Sequence, residues 1–303
     1  MKKILLIILD GMADVGKKTP LMLANKPNID WLASHSECGL WKPSVPKNYS
    51  LANFSEIGTL ELLGCFQCPG RGYLEALGIG LKIDKKAVYF RTNFATVKKI
   101  AKRRKNSKKL PSNFSYDIID RRAGRDEKGL DELAKAINRI KIDGADIKFY
   151  RSSGHRGVLV IKQKNSDNNY SSLKNSYNNT QQAGYDNNTQ QAGYDRISVS
   201  DLGESISYIK PLDGGSKKIA DVLNKFMDKA HDVLSKHPIN RKRKSAANFL
   251  LIRGAGHYLK IRSFKKTFGL RAAVVSDAKI IDGIARFLRL DLYHVNGADG
   301  GYD

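Results

Sequence analysis

The chain has 303 residues, of which 41% are hydrophobic, and a formal net charge of +23 at pH 7. This length allows a sizeable buried core and predicts two domains. The longest apolar run, residues 4–9, is too short to cross a bilayer, which excludes a membrane-spanning class. No signal-peptide cleavage site follows the run before Asp10. We therefore expect a cytoplasmic protein without a membrane partner.

The first predicted element is a buried strand over residues 3–9, directly before Asp10. A continuous apolar run of this length is typical of a parallel strand covered on both faces. Ligands bind at the carboxyl ends of such strands, so Asp10 is a candidate metal ligand, although it also suits an ordinary turn. A helix is predicted over residues 28–36, with Pro27 at its start.

A second helix is predicted after Ser55, with Gly64 at its end. Ser55 would then lie at a helix N-terminus, where free N–H groups favour a phosphate, although the position also suits an ordinary N-cap. Cys65 and Cys68 have CxxC spacing, but no second CxxC and no paired histidines accompany them, which favours ordinary thiols over a zinc or redox site. Residues 70–72 fit no nucleotide-binding motif and predict a turn.

From residue 88 onward, predicted strands alternate with amphipathic helices. The strands are residues 88–97, 147–151, 158–162, 248–252 and 272–275, and the helices are residues 130–140, 219–229 and 278–288. This alternation predicts an α/β domain. Residues 163–195 are rich in Asn and Gln and contain a tandem duplication, 178–186 and 187–195, which predicts a disordered surface loop.

Several basic side chains lie close to one another or beside the ends of these elements. They are Arg121 and Arg125 after Asp120, His155 and Arg156 in a turn between two strands, and Arg253 after another strand. Guanidinium groups match the geometry of phosphate and carboxylate, so this set favours a small-molecule anion site. Two lysine- and arginine-rich runs, residues 98–105 and 241–244, lack interleaved aromatics, which favours solvated faces and does not favour nucleic acid as a partner.

Eleven stretches of the chain, in order, resemble the archaeal-type cofactor-independent (2,3-bisphosphoglycerate-independent) phosphoglycerate mutases of the alkaline phosphatase superfamily. They are residues 9–12, 18–21, 55–58, 62–64, 70–72, 91–96, 120–125, 155–156, 237–240, 253–256 and 300–303. The resemblance implies a glycolytic and gluconeogenic isomerase that interconverts 3-phosphoglycerate and 2-phosphoglycerate through a phosphoserine intermediate. Ser55 would be the catalytic nucleophile.

The same resemblance implies the remaining site residues and cofactors. Two divalent cations, Mn²⁺ or Mg²⁺, would be bound in part by Asp10 and Ser55. Phosphoglycerate would be bound by Asp120, Arg121, Arg125, His155, Arg156 and Arg253. The chain departs from the family at Glu56 and Thr59, where Asp and His are frequent, and at Cys65 and Cys68, where tyrosines are usual.

The implied architecture is α/β: an incomplete alkaline-phosphatase-like parallel-sheet domain with a large α/β substrate-binding insertion domain. Residues 1–72 would form the N-terminal part of the phosphatase domain, residues 73–296 the insertion, and residues 297–303 the start of a second phosphatase segment. Family members continue into that segment, which bears further metal ligands. We therefore expect most metal ligands outside this chain, either on a separate polypeptide or on a part lost through truncation of the gene model. The chain alone would then be inactive, and residues 3–9 would expose apolar surface.

Two alternative functions remain open at this point. A related phosphatase or metabolite kinase of the same superfamily would share Asp10 and Ser55 but would bind neither phosphoglycerate isomer. A non-catalytic polyanion-binding remnant would use the net charge of +23, and salt-sensitive RNA binding without metal affinity would support it.

Overall fold

The computed structural model describes residues 3–12, 14–41, 54–99, 116–163, 206, 209 and 217–295. Contacts divide the chain into two units, residues 1–44 and residues 45–303, and each is described by itself. No helix in these described ranges is long and apolar enough to cross a membrane. The predicted disordered loop, apart from residue 163, and the predicted segment 297–303 lie outside the described residues.

The first unit contains two short helices and few buried side chains. They are α1 (Pro20–Leu23) and α2 (Pro27–Ser34), and each begins at a proline, whose fixed φ suits the first helical position. Thr19 caps α1 because its hydroxyl accepts a hydrogen bond from the Met22 N–H at 3.2 Å. Helix α2 confirms the helix predicted after Pro27.

The prediction of a buried strand over residues 3–9 is wrong. These residues have no regular secondary structure, and the side chains from Ile4 to Leu9 are between 44% and 88% exposed. A buried strand needs neighbouring strands for its N–H and C=O groups, and every strand in the described part of the chain pairs elsewhere. The expected exposure of this apolar run is confirmed.

The second unit is built around a five-stranded sheet. Its strands are β1 (Val88–Lys99), β2 (Tyr116–Asp120), β3 (Ala145–Arg151), β4 (Arg156–Gln163) and β5 (Phe249–His257). Strand β1 is central and pairs with β2, β4 and β5, while β3 pairs with β4, and all these pairings are antiparallel. Two short strands, β6 (Ala273–Val275) and β7 (Asp291–Tyr293), form a separate parallel pair.

Helices cover both faces of the five-stranded sheet. They are α3 (Phe54–Leu62), α4 (Arg71–Gly78), α5 (Leu130–Ile137), α6 (Lys217–Lys236), α7 (Pro238–Lys242), α8 (Phe264–Phe268) and α9 (Lys279–Leu288). Because side chains alternate along β4, Leu159 joins a core with α5 and α6, whereas Val158 joins a second core with α4 and α9.

The mixed α/β class is confirmed, and each element predicted from residue 88 onward is present. The five-stranded sheet is antiparallel, which alternation of elements alone did not predict. Strand β5 continues to His257 instead of ending at Ile252, and helix α4 begins at Arg71, directly after Gly70, where a turn was predicted. Both differences occur at glycines, whose weak intrinsic preference for strand or helix is overridden by packing.

Candidate active site

Three neighbouring strands place arginines on one face of the sheet. Arg91 of β1 lies opposite Arg253 of β5, and Asn93 of β1 lies opposite Arg156 of β4. Residues two apart on a strand share a face, so Arg91 and Asn93 point the same way. These strand pairings bring two sequence-predicted contacts, Arg156 and Arg253, to a third arginine that the sequence analysis did not select.

Helix α4 covers this face at very short range because glycines allow it. A Cβ atom on Gly72 would collide with the carbonyl oxygen of Tyr89, and one on Gly70 would collide with that of Ala255. Gly70 also has φ of 90°, a conformation that glycine adopts easily. The close approach brings the side chain of Arg71 onto the sheet, where it is 12% exposed.

A chain of ion pairs joins helices α3 and α4 to strand β1. Arg71 Nη1 donates to Glu56 Oε2 at 3.0 Å, and Arg71 Nε lies 3.6 Å from Glu75 Oε1. The same Glu75 oxygen lies 3.6 Å from Arg91 Nε. Each of the four side chains in these ion pairs is 12% exposed or less, so solvent screens their charges only weakly.

Positive charge exceeds negative charge around these ion pairs. We call six residues the arginine cluster: Arg71, Arg91, Arg121, Arg125, Arg156 and Arg253. Burial lowers the pKa of Arg91 well below its usual value, and the charges of Arg253 and Arg71 lower it further. Burial, followed by the charge of Arg71, lowers the pKa of Arg253 to about 10. Buried cations that repel one another in this way are stabilised by a bound anion.

Three of these guanidinium groups have a buried Nε that makes no hydrogen bond within the described part of the chain. They are Arg71 Nε and Arg91 Nε, which each lie 3.6 Å from Glu75, beyond hydrogen-bond distance, and Arg156 Nε. Buried donors are normally paired, and charged ones strongly favour an anionic acceptor. The arrangement therefore suits a small ligand that carries phosphate, carboxylate or both.

His155 adds a neutral ring to this positive site. The residue is 7% exposed and its carbonyl accepts a hydrogen bond from the Phe94 N–H at 2.8 Å, which fixes its turn against β1. Burial, and then the charge of Arg156, lowers the His155 pKa from 6.5 to about 4. At neutral pH the imidazole is uncharged, so it can both donate and accept hydrogen bonds.

The remaining predicted contacts lie at the end of β2 and in the segment that follows it. Arg125 is among the charges that lower the His155 pKa, and Arg121 is among those that lower the Arg253 pKa, so both belong to the same electrostatic site. Asp120 instead bonds its own turn, since its carboxylate accepts from the N–H groups of Arg122 and Gly124 at 2.7 and 2.6 Å. Five of the six predicted substrate contacts thus interact with one another, while the Asp120 side chain forms the turn that leads from Arg121 to Arg125.

Ser55 lies in the first turn of α3, as predicted, and is partly exposed. The next residue, Glu56, is 2% exposed, and burial raises its pKa although Arg71 opposes the shift. Ser55 is therefore one residue from the carboxylate that binds the arginine cluster. Burial raises the pKa values of the Cys65 and Cys68 thiols, whereas reactive cysteines have lowered pKa values.

The described residues do not by themselves fit the two-cation site that the resemblance implies. Among them, no group of three or more His, Cys, Asp or Glu side chains is arranged to hold a metal ion. Asp10 is exposed in a turn of the first unit, where the Met12 N–H donates to the Leu9 carbonyl at 3.4 Å, and Ser55 belongs to the second unit. We therefore assign no chemical step to a metal.

Sequence reasoning missed Arg71, Glu75 and Arg91 as site residues. Arg91 had a usable signal, because a charged residue within an otherwise apolar strand is buried only when paired. Arg71 had another, because it stands between two glycines that permit close backbone contact. The prediction that residues 241–244 form a solvated face is wrong for Arg243, whose side chain is 3% exposed.

Comparisons with known proteins find relatives over most of the chain. A sequence model described as "2,3-bisphosphoglycerate-independent phosphoglycerate mutase" matches residues 33–240. Proteins of that name from Pyrococcus furiosus and Pyrococcus abyssi are 34% and 36% identical to the chain, and the matches cover 100% of this chain and 66% and 67% of theirs. A solved cofactor-independent phosphoglycerate mutase from Thermoplasma acidophilum is 29% identical, with a TM-score of 0.47, and the match covers 92% of this chain and 64% of that one. The chain thus spans about two thirds of the length of these relatives.

Proposed function

The chain belongs to the 2,3-bisphosphoglycerate-independent phosphoglycerate mutase family, and we propose that it provides the nucleophile and the substrate-binding site for interconversion of 3-phosphoglycerate and 2-phosphoglycerate. One observation carries the proposal: the arginine cluster, with Arg91 buried in it, lies beside the helix that bears Ser55. Arg71 joins the two through its 3.0 Å contact with Glu56, the residue after Ser55. Phosphoglycerate carries a phosphate and a carboxylate, and both are anions that paired guanidinium groups bind well.

In the proposed reaction, Ser55 Oγ forms a bond to phosphorus while the ester P–O bond to the glycerate breaks. The serine proton ends on the released glycerate hydroxyl, and the product is phosphoserine. The other glycerate hydroxyl then attacks the phosphoserine, which returns the phosphoryl group to the substrate and the proton to Ser55. The arginine cluster would hold the glycerate carboxylate and stabilise charge on the transferring group during both steps.

Family membership motivates a proposal for the cofactors and partners. We propose that two divalent cations, Mn²⁺ or Mg²⁺, act with Ser55 and Asp10, and that most of their ligands lie outside this chain. When bound, such ions lower the pKa of a coordinated hydroxyl and neutralise phosphoryl charge. We further propose that a separate polypeptide with the rest of the phosphatase domain completes the enzyme, and that the assembly works in the cytoplasm.

The direct test is an enolase-coupled mutase assay on the chain assembled with that second polypeptide in the presence of Mn²⁺. We expect turnover of 3-phosphoglycerate that Ser55→Ala abolishes and that Ser36→Ala, a change at an exposed serine of the first unit, leaves intact. Full activity in Ser55→Ala, or none in the unmodified assembly, would contradict the proposal. Release of inorganic phosphate without 2-phosphoglycerate would instead assign the phosphatase alternative.

A further inference from the structure

The segment after β2 has a backbone conformation that most residues avoid. Ala123, Gly124 and Arg125 have positive φ angles of 47°, 72° and 55°. Residues other than glycine rarely adopt positive φ angles. A strained run of this kind persists only where surrounding contacts hold it. We call residues 120–128 the strained loop.

Asp120 holds the first part of the strained loop. Its two carboxylate oxygens accept hydrogen bonds from the N–H groups of Arg122 and Gly124, and the Arg125 N–H donates to the Arg122 carbonyl at 2.9 Å. These bonds satisfy three N–H groups of the loop. Of the loop carbonyls, these bonds use only that of Arg122, and others accept hydrogen bonds from another part of the chain.

Arg243 holds those carbonyls. Its Nη2 donates to the carbonyl oxygens of Ala123 at 3.0 Å and Asp126 at 2.6 Å, and its Nη1 donates to that of Lys128. On its other side, Nε donates to the Ser245 carbonyl at 3.1 Å. A single planar guanidinium, 3% exposed, therefore connects three carbonyls of the strained loop to the segment that precedes β5.

The strained loop lies at the arginine cluster. Asn93, which is opposite Arg156 in the sheet, donates through Nδ2 to the Arg121 carbonyl at 3.5 Å. Strand β2, which ends at Asp120, pairs with β1 so that Asp120 is opposite Thr96. The two charged side chains of the loop that belong to the cluster, Arg121 and Arg125, thus depend on the loop backbone for their placement.

We propose that Arg243 is a positioning residue for the anion site: by fixing the carbonyls of the strained loop, it holds Arg121 and Arg125 where phosphoglycerate binds. The hydrogen bonds that Arg243 donates are to backbone carbonyls, so it acts through the backbone. Lysine would keep the charge but not the fixed fork of donors that reaches several carbonyls at once. The ligand named here rests on the proposed function, whereas the role in the loop does not.

The experiment compares Arg243→Lys with Arg241→Lys, a change at an exposed arginine two residues away that also preserves charge. Hydrogen exchange of peptides spanning residues 120–128 and calorimetric titration with 3-phosphoglycerate are measured on both variants and on the unmodified chain. We expect Arg243→Lys to exchange about tenfold faster in this segment and to bind about tenfold more weakly. Arg241→Lys should match the unmodified chain in both measurements.

Unchanged exchange in Arg243→Lys would overturn the proposal, and so would a loosened loop with undiminished affinity. If the unmodified chain does not bind 3-phosphoglycerate, the proposed function is wrong, while the exchange comparison still decides the role of Arg243. If Arg243→Lys does not fold, the unmodified chain provides the test: residues 120–128 should exchange more slowly than the exposed residues 14–18. Equal rates in these two segments would overturn the proposal.

Discussion

At the scale of single residues, Glu75 is the carboxylate on which two buried arginines depend. Glu75→Gln keeps the shape but leaves Arg71 Nε and Arg91 Nε without the charge that lies 3.6 Å from each. Removing one partner of a buried ion pair typically costs about 3–5 kcal/mol. We expect a loss of this size in the free energy of urea unfolding at low salt, and a smaller loss when sulfate or phosphate is added, because an anion binds the folded state.

The matched control for this prediction is Glu127→Gln. Glu127 pairs with Arg151 at 2.9 Å, but its side chain is 55% exposed, so its loss should cost less than about 1 kcal/mol. Equal small losses in both variants, with no effect of sulfate, would show that Glu75 does not neutralise the arginine cluster.

His155 makes a pH-dependent contribution to stability. Its pKa is lowered from 6.5 to about 4 in the folded chain, so between these values the unfolded chain binds more protons. The free energy of unfolding therefore falls as pH falls from about 6.5 towards 4. His155→Gln cannot titrate, and we expect it to lose less stability than the unmodified chain when urea unfolding is compared at pH 7 and near the lower end of this interval. Equal losses would contradict the assignment.

At the scale of elements, the glycines at the start of helix α4 determine where the ion pairs form, because they let the helix approach the sheet closely. A Cβ on Gly72 would meet the Tyr89 carbonyl, so Gly72→Ala must push α4 away from β1 and carry Arg71 and Glu75 with it. Overpacking of this kind typically costs about 1–3 kcal/mol. We expect that loss in urea unfolding together with weaker binding of 3-phosphoglycerate in calorimetry.

Gly39→Ala is the control for the α4 prediction, because a Cβ there would meet nothing within 4 Å. It should change neither quantity. If Gly72→Ala binds 3-phosphoglycerate as tightly as Gly39→Ala, the close approach of α4 to β1 does not determine the affinity of the anion site.

Sequence patterns predicted most elements but fewer of the site residues. Helix α5 was predictable because Leu130, Leu133, Ala134 and Ile137 repeat at helical spacing and are buried. Helix α4 was missed because its packing depends on glycines, which carry no periodic signal. Arg156 and Arg253 were predicted from their types, whereas Arg91 became visible only through its pairing opposite Arg253. Which strands pair is a long-range property that local spacing does not encode.

At the scale of the whole molecule, the exposed apolar run at residues 4–9 should contribute little to the stability of the chain itself. Leu5 and Ile7 are 83% and 68% exposed. We expect the double variant Leu5→Lys, Ile7→Lys to unfold in urea within about 0.5 kcal/mol of the unmodified chain. It should also self-associate less in analytical ultracentrifugation, since exposed apolar surface promotes association.

The same variant bears on the proposed second polypeptide. If that polypeptide supplies the sheet that covers residues 4–9, the two lysines should prevent assembly, because buried charges would replace apolar contacts. Assembly as tight as with the unmodified chain would contradict this docking. A loss of more than about 2 kcal/mol from the chain alone would contradict the exposure of the run.

The most direct test of the central claim is calorimetric titration of 3-phosphoglycerate into the chain and into Arg91→Gln. Arg91 lies at the centre of the arginine cluster, between Arg253 on β5 and Glu75 on α4. We predict saturable binding at one site that weakens at least about tenfold in the variant, as expected when a charged hydrogen-bond donor is lost. Equal binding by both proteins, or none by the unmodified chain, would contradict the claim that this cluster is a phosphoglycerate site.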